Sequence, residues 1–333
     1  MRALGFDFVR LTVDPGIWIA EGVGRADQLE RHYLDCVETL LASDLNVVFD
    51  LAAVDNHPDY APLRLISPED PQNFASYARM VARAARLLSG ASSDRVALEL
   101  FNEPPMVGDA GEARWAAMQR LLHNRARDAA PDLALILTAA HWGDGAALTR
   151  LDPSPYKDSN VLFTFHYYDP HLFTHQGTKT GAISYISGLD WPLTAERANR
   201  AQTDAEQAAA ADGQASASLR DQIQRAFAGA SARPHDEATI SRDFDAVAAW
   251  AHSNVVVSKR ILLGEFGCVL SSRGRPTGEA RLRWLSAVRR AAEARGFGWA
   301  YWAFKGYGGM ELVDQRGAFH ADLVAPLGLK APG

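Results

Sequence analysis

The sequence predicts an α/β protein built as a (β/α)8 TIM barrel, and three observations carry that prediction. Short β-branched and apolar runs alternate with longer segments whose apolar residues recur three and four apart. Prolines stand just past several of the short runs, in Val13-Asp14-Pro15, Asn102-Glu103-Pro104 and Tyr168-Asp169-Pro170. The 333 residues are 47% apolar and 22% charged, which suffices for one large buried core.

Taken in chain order, Met1 to Gly5 reads as a helix end stopped by its glycine. The first βα unit of an eight-unit barrel is therefore expected to be missing from this chain. Strands are expected over Phe6 to Val13, Asn46 to Leu51, Val96 to Phe101, Leu133 to Thr138, Val161 to Tyr168, Arg260 to Phe266 and Gly298 to Phe304. Between them, helical spacing links Leu29, Tyr33, Val37 and Leu40, then Phe74, Tyr77 and Val81, then Trp115, Met118, Leu121 and Leu122. Phe244, Val247 and Trp250 repeat it, as do Leu282, Leu285 and Val288. Strict alternation implies parallel strands joined by crossover helices. Seven such units favour the barrel, with an open doubly wound sheet as the alternative.

The chain is expected to be one domain over 1–333, interrupted by a helical insertion at 190–235. That stretch is rich in Ala, Gln, Ser and Arg, and Leu219, Ile223 and Phe227 form its single apolar stripe. It follows the strand at 161–168, the sixth in the eight-strand count, and is expected to pack weakly or to act as a lid.

Composition removes several function classes. There are 34 basic and 40 acidic residues, for a net charge of −6. Nucleic acid and anionic membrane surfaces both call for a basic face. Cys36 and Cys268 are the only cysteines, too few for a disulfide scaffold or a Cys-rich metal site. No apolar run approaches the ~18 residues of a membrane span. The opening residues do not have the pattern of a signal peptide.

Proline donates no ladder hydrogen bond and holds the preceding residue extended, so the polar residues before each proline sit at carboxyl ends of strands. In barrels that end carries the active site. Two buried strands run out there into glutamates: Leu98-Glu99-Leu100-Phe101-Asn102-Glu103-Pro104 and Ile261-Leu262-Leu263-Gly264-Glu265-Phe266-Gly267. Facing strands bring two such carboxylates to one cleft, the requirement of glycoside hydrolysis. One carboxyl must then hold a proton while the other stays ionised. Glu99, on the same strand as Glu103, is expected in a hydrogen-bonded layer inside the barrel. Trp115, Trp250 and Trp284 have core spacing, whereas Trp142, in His141-Trp142-Gly143 after the 133–138 strand, is a candidate sugar platform.

Together, Asn102-Glu103-Pro104, Gly264-Glu265-Phe266-Gly267, His166-Tyr167-Tyr168 and Trp302 resemble the cellulase family of glycoside hydrolases, family 5 of clan A. The resemblance runs from Arg10 to Trp302, the insertion excepted. It implies Glu103 as acid/base, Glu265 as nucleophile and Asn102 as the contact to the sugar 2-hydroxyl. Arg10 is implied to hold the nucleophile ionised, His166 and Tyr168 to be the family's His-x-Tyr, and Trp302 to stack on sugar. One motif departs: the family's Asp-x-His reads Asp50-Leu51-Ala52 here, and His57 stands five residues on as its possible replacement.

What the resemblance implies is a retaining endo-β-1,4-glucanase that needs no cofactor and no metal. Its partner would be a polysaccharide or oligosaccharide, with no nucleic acid and no membrane insertion, and oligomeric state is not legible. Substrate class implies a secreted or periplasmic location. An exo-acting, mannan-directed or exopolysaccharide-directed enzyme is the alternative, as is a carbohydrate-binding barrel without catalysis.

Overall fold

Among the described residues, seven parallel strands form the main sheet: β1 (Phe8–Val13), β2 (Asn46–Leu51), β3 (Val96–Glu99), β4 (Ala134–Thr138), β5 (Val161–His166), β6 (Ile261–Phe266) and β9 (Gly298–Tyr301). Their order is the order of the chain, β1-β2-β3-β4-β5-β6-β9, as crossover helices require. Every strand of this sheet lies within an expected run. A small antiparallel hairpin pairs β7 (Ser271–Ser272) with β8 (Arg275–Pro276). This computed structural model describes all residues except 22, 92–93, 157, 179–180, 215, 233, 307 and 332–333. The fold is of the (β/α)8 barrel class, and the chain divides into two compact units, 1–166 with 247–264, and 167–246 with 265–333.

In the first unit the two-residue period of the strands builds layers. Val48, Ile136 and Leu262 form an apolar cluster, with Phe8, Ala97 and Leu162 packed against it. Two residues further along the same strands stand Arg10, Asp50, Glu99, Thr138, Thr164 and Gly264. An apolar layer thus supports a polar one, in which Asp50, Glu99 and Thr164 have no solvent exposure. Val47, Phe49, Leu98, Leu135, Leu137 and Phe163 occupy the alternate positions and are fully buried or nearly so. Each such side chain contributes roughly 1.5–3 kcal/mol.

Helices Pro71–Ser89 and Gly108–Ala129 bury Tyr77, Met80, Val81, Trp115 and Leu122. Asp70 caps the first of these helices by accepting from the Asn73 N–H, with Pro71 at the first helical position. Tyr77 donates to the Leu100 carbonyl at 2.5 Å and Trp115 to that of Thr138 at 2.8 Å.

The alternation slips at the end of β3. Continued from Ala97 and Glu99, it would turn Phe101 toward Arg10. Instead Phe101 packs edge-on between Tyr77 and Trp115, on the helix side. The Leu100 N–H bonds to Ile136 of β4, whereas the Asn102 N–H bonds to Leu51 of β2. This bulge-like change of phase turns Asn102 to the side occupied by Arg10.

The second unit packs Phe266 against Trp284, Trp299 and Tyr301, and Tyr167 against Phe244 and Trp284. The expected insertion is a pair of helices, Ala195–Ala211 and Ala217–Ala232; residues 215 and 233 of its range lie outside the described residues. Its packing is tighter than expected. Ala198, Ala201, Ala205 and Ala209 form one buried stripe, and Ile223 and Phe227 are fully buried. Alanines on one helix face allow the partner helix to approach closely, which a weakly apolar composition conceals. The β7–β8 hairpin is tied to the segment before the insertion by Ser272, which donates to the Ile186 carbonyl at 2.8 Å.

Candidate active site

Within the first unit, the polar layer organises the end of β3. Arg10 grips Glu99 with two hydrogen bonds, Nε to Oε2 at 2.7 Å and Nη2 to Oε1 at 2.8 Å. Its Nη2 also reaches Asn102 Oδ1 at 2.6 Å and lies 3.2 Å from Asp50 Oδ2. A guanidinium only donates, so Asn102 must present its oxygen to Arg10, leaving its amide hydrogens to donate elsewhere. Glu99 is therefore structural, the buried counter-charge of Arg10.

Glu103 is one-third exposed, with a side-chain exposure of 32%, and its Oε1 lies 2.7 Å from Nδ1 of buried His166. Two glycines make room for that imidazole. A Cβ on Gly264 would stand 2.4 Å from Thr164 Oγ1 and 3.1 Å from His166 Nε2. One on Gly143 would meet Thr138 Oγ1 at 3.0 Å and the His166 ring at 3.7 Å.

Trp142 is 52% exposed. Its N–H donates to the Pro104 carbonyl, and the His141 N–H to that of Met106. His57 lies in the loop after β2, where its ring packs on Tyr60 and its Nδ1 accepts from the Asp59 N–H. Among the described residues it makes no hydrogen bond to Arg10, Asn102 or Glu103.

Within the second unit, Glu265 is 6% exposed, and Tyr168 donates to its Oε2 at 2.8 Å. The Tyr167 N–H donates to the Glu265 carbonyl, fixing the backbone between the two side chains. Thr174 Oγ1 donates to the Tyr168 carbonyl at 2.6 Å and lies 3.0 Å from Nδ1 of His175, whose ring meets Tyr168 edge-on. Burial, reinforced by His171 and opposed by Glu265, brings His175 down to about 3, so this imidazole is neutral beside the carboxylate. Trp302 follows β9, and its N–H donates to the Phe266 carbonyl. Gly267 lies against it: a Cβ there would be 2.5 Å from the Trp302 carbonyl oxygen. Cys268 is buried and its thiol is pushed up to about 12, which removes it from nucleophilic chemistry.

The structure thus gathers Arg10, Asn102, Glu103, His166 and Trp142 in one unit, and Tyr168, Glu265 and Trp302 in the other. Thr174 and His175 are contacts that the motifs do not single out, and Asp50 enters them only as the first residue of the departing Asp50-Leu51-Ala52. Asp50 carries a signal in hindsight, a charge inside an otherwise apolar strand; Thr174 and His175 end a single helical turn, His171–Thr174, too short to show a periodicity.

An acidic side chain presented past the end of β3 and another at the end of β6 of a parallel α/β barrel are compatible with the class of barrel glycosidases. Within that class, the chain belongs to the cellulase family, glycosyl hydrolase family 5, whose profile matches residues 1–308. Endoglucanase 3 of Fibrobacter succinogenes is 23% identical over 294 residues, which are 88% of this chain and 41% of that protein. Cellodextrinase A of Ruminococcus flavefaciens is 27% identical over 184 residues, 52% of this chain and 50% of that one. The chain thus spans about half or less of the length of these relatives. Endoglucanase Cel5A of Thermotoga maritima superposes with a TM-score of 0.72 at 21% identity, covering 97% of this chain and 86% of that one. The cellulose synthase subunit Z of Clostridioides difficile gives 0.70 at 22%, with 97% and 88% covered.

Proposed function

We propose that this chain is a retaining endo-β-1,4-glucanase, with Glu265 as nucleophile and Glu103 as acid/base. One observation carries the assignment: each glutamate at a strand end has its own partner and a contrasting environment. Glu265 is enclosed and accepts from Tyr168, while Glu103 is partly open and tied to His166. Family membership supplies the substrate class, and relatives named as endoglucanases support its endo-acting form.

In the proposed reaction Glu265 attacks the anomeric carbon as Glu103 gives its proton to the departing oxygen. The glycosidic bond breaks and a glycosyl ester of Glu265 forms. Water then loses a proton to Glu103, attacks the same carbon and frees Glu265, so the configuration is retained. This route requires carboxyl groups ~5–5.5 Å apart. Asn102 would hold the sugar 2-hydroxyl through its free amide hydrogens, and Arg10 would keep Asn102 in register. Trp302 would stack on the sugar being transferred. Trp142, anchored to the residue after Glu103, would stack on the leaving-group side. His57 is left out of this set, because Asp59 and Tyr60 already engage its ring. All of this chemistry comes from side chains.

No helix among the described residues is long and apolar enough to cross a membrane. Because polymeric glucan lies outside cells, a secreted or periplasmic location is proposed, to be checked by fractionating the native host.

The test is reducing-sugar release from soluble β-glucans and mannans. Glu265→Gln is expected to lose at least about 10³-fold in kcat on β-1,4-glucan. Glu103→Gln is expected to lose about 10²–10⁴-fold on the polymer yet still attack substrates whose leaving group needs no proton. A wild type inert on β-1,4-glucan, or a Glu265→Gln variant that keeps its activity, would overturn the proposal.

A further inference from the structure

The loop that carries Trp142 has an unusual construction. His141 and Trp142 have φ of 53° and 56°, and Gly143 follows at 74°, three left-handed residues in succession. Left-handed backbone is unfavourable for residues with a Cβ, and it persists where the surroundings over-determine it. Backbone bonds from His141 to Met106 and from Trp142 to Pro104 supply part of that determination.

Side chains supply the rest. His141 Nε2 lies 2.9 Å from Glu112 Oε1 and 3.2 Å from the Gly108 N–H, both on helix Gly108–Ala129. Glu112 is gripped in turn by Arg150, through Nη2 to Oε1 at 2.7 Å and Nε to both oxygens at 3.1 Å. Arg150, followed by His141, holds the Glu112 carboxyl below its ordinary range, so it stays ionised. The resulting chain Arg150–Glu112–His141 ties the residue before Trp142 to a helix and to the segment after it. The indole itself remains half exposed and has no hydrogen-bond partner among the described residues.

We infer that Glu112 and His141 are positioning residues that clamp Trp142 as a preorganised platform for the sugar on the leaving-group side. The inference rests on the proposed function, since that reading makes Trp142 a leaving-side contact. An aromatic face fixed before substrate arrives avoids the ordering cost of a mobile one. The clamp therefore acts on substrates with a sugar in the leaving group and is silent on those without one.

The experiment compares cellotetraose with β-cellobiosyl fluoride, whose departing fluoride occupies no platform. Glu112→Leu is expected to raise KM for cellotetraose about tenfold, with kcat/KM on the fluoride within about twofold of wild type. Glu112→Gln, whose side-chain amide can still pair with His141 Nε2, is expected to recover most of the loss. In a Trp142→Ala background Glu112→Leu is expected to add nothing, because two residues acting through one contact are not additive. If Glu112→Leu does not fold, His141→Leu breaks the same contact from its other side.

Equal losses on both substrates, or no loss on either, would overturn the inference. Failure of the proposed function has a different signature, a wild type inert on both substrates. In that event calorimetric titration of cellotetraose into Glu103→Gln, with and without Glu112→Leu, still reads the clamp. A Kd weakened about tenfold supports it, and an unchanged Kd overturns it.

Discussion

At the scale of single residues, the site is shaped as much by absent side chains as by present ones. Gly264 precedes the proposed nucleophile and has no Cβ because Thr164 Oγ1 would stand 2.4 Å from it. The His166 imidazole fills the space beside it and reaches Glu103. Gly264→Ala is therefore expected to destabilise the protein by about 1–3 kcal/mol through overpacking. It should also lower activity by more than its effect on folding explains, since His166 must move. A melting curve beside kcat at a temperature where the variant is folded separates the two effects. An alanine variant with unchanged Tm and kcat would show that the strands part without cost. The two glutamates and Asn102 were legible in the sequence because prolines and glycines mark the strand ends around them. Glu112, Arg150, Thr174 and His175 were not, since their roles arise from contacts across loops that no local pattern encodes.

At the scale of elements, all seven strands of the main sheet were readable from apolar runs, and the discrepancies fall at their ends. Tyr167 and Tyr168 continue the apolar run of β5, but the regular ladder stops at His166. The change of phase at Leu100–Phe101 was likewise invisible, because both residues are apolar and either face accommodates them. The insertion was recognisable as helical from composition; its tight packing depends on alanines, which count little in a periodicity. Helix ends supply a testable case. Helix Glu237–Ser253 closes with the Val255 N–H bonded to the His252 carbonyl and the Val256 N–H to that of Ala251. This is a Schellman motif, and the residue in its left-handed position is Val255, with φ of 57°. A β-branched side chain is strained there, and this one is 88% exposed, so it returns little packing energy. Val255→Gly is expected to stabilise the protein by about 1 kcal/mol despite glycine's greater freedom when unfolded. Denaturant midpoints at constant m-value would measure it, and a lower midpoint for the variant would refute the strain argument.

At the scale of the molecule, acid stability is set by buried histidines that fold neutral. Trp191 Nε1 can only donate, and it lies 3.1 Å from His235 Nδ1, so that nitrogen carries a lone pair. Nε2 must then bear the proton, 3.1 Å from the Tyr167 hydroxyl, which itself donates to Asp243 at 2.8 Å. A second proton on His235 would set two N–H groups against each other. Burial lowers its pKa to about 4 from an ordinary 6.5, with Asp236 opposing and Arg242 adding to the shift. Between those values the unfolded chain binds the proton that the folded one refuses, so stability rises with pH across that window. It is fully present above about 6.5 and is lost as pH falls toward 4. His175, lowered to about 3, extends the same trend to more acid conditions. In His235→Gln the amide can still accept from Trp191 and donate to Tyr167, but it does not titrate. The fall in Tm between pH 7 and pH 4.5 is therefore expected to be smaller in this variant by roughly 2–4 °C. Because Tyr167 lies between His166 and Tyr168, the same variant should also keep its activity further into acid wherever local loosening limits turnover. Parallel Tm curves for variant and wild type across that window would locate the acid sensitivity elsewhere, with the carboxylates of the ion pairs.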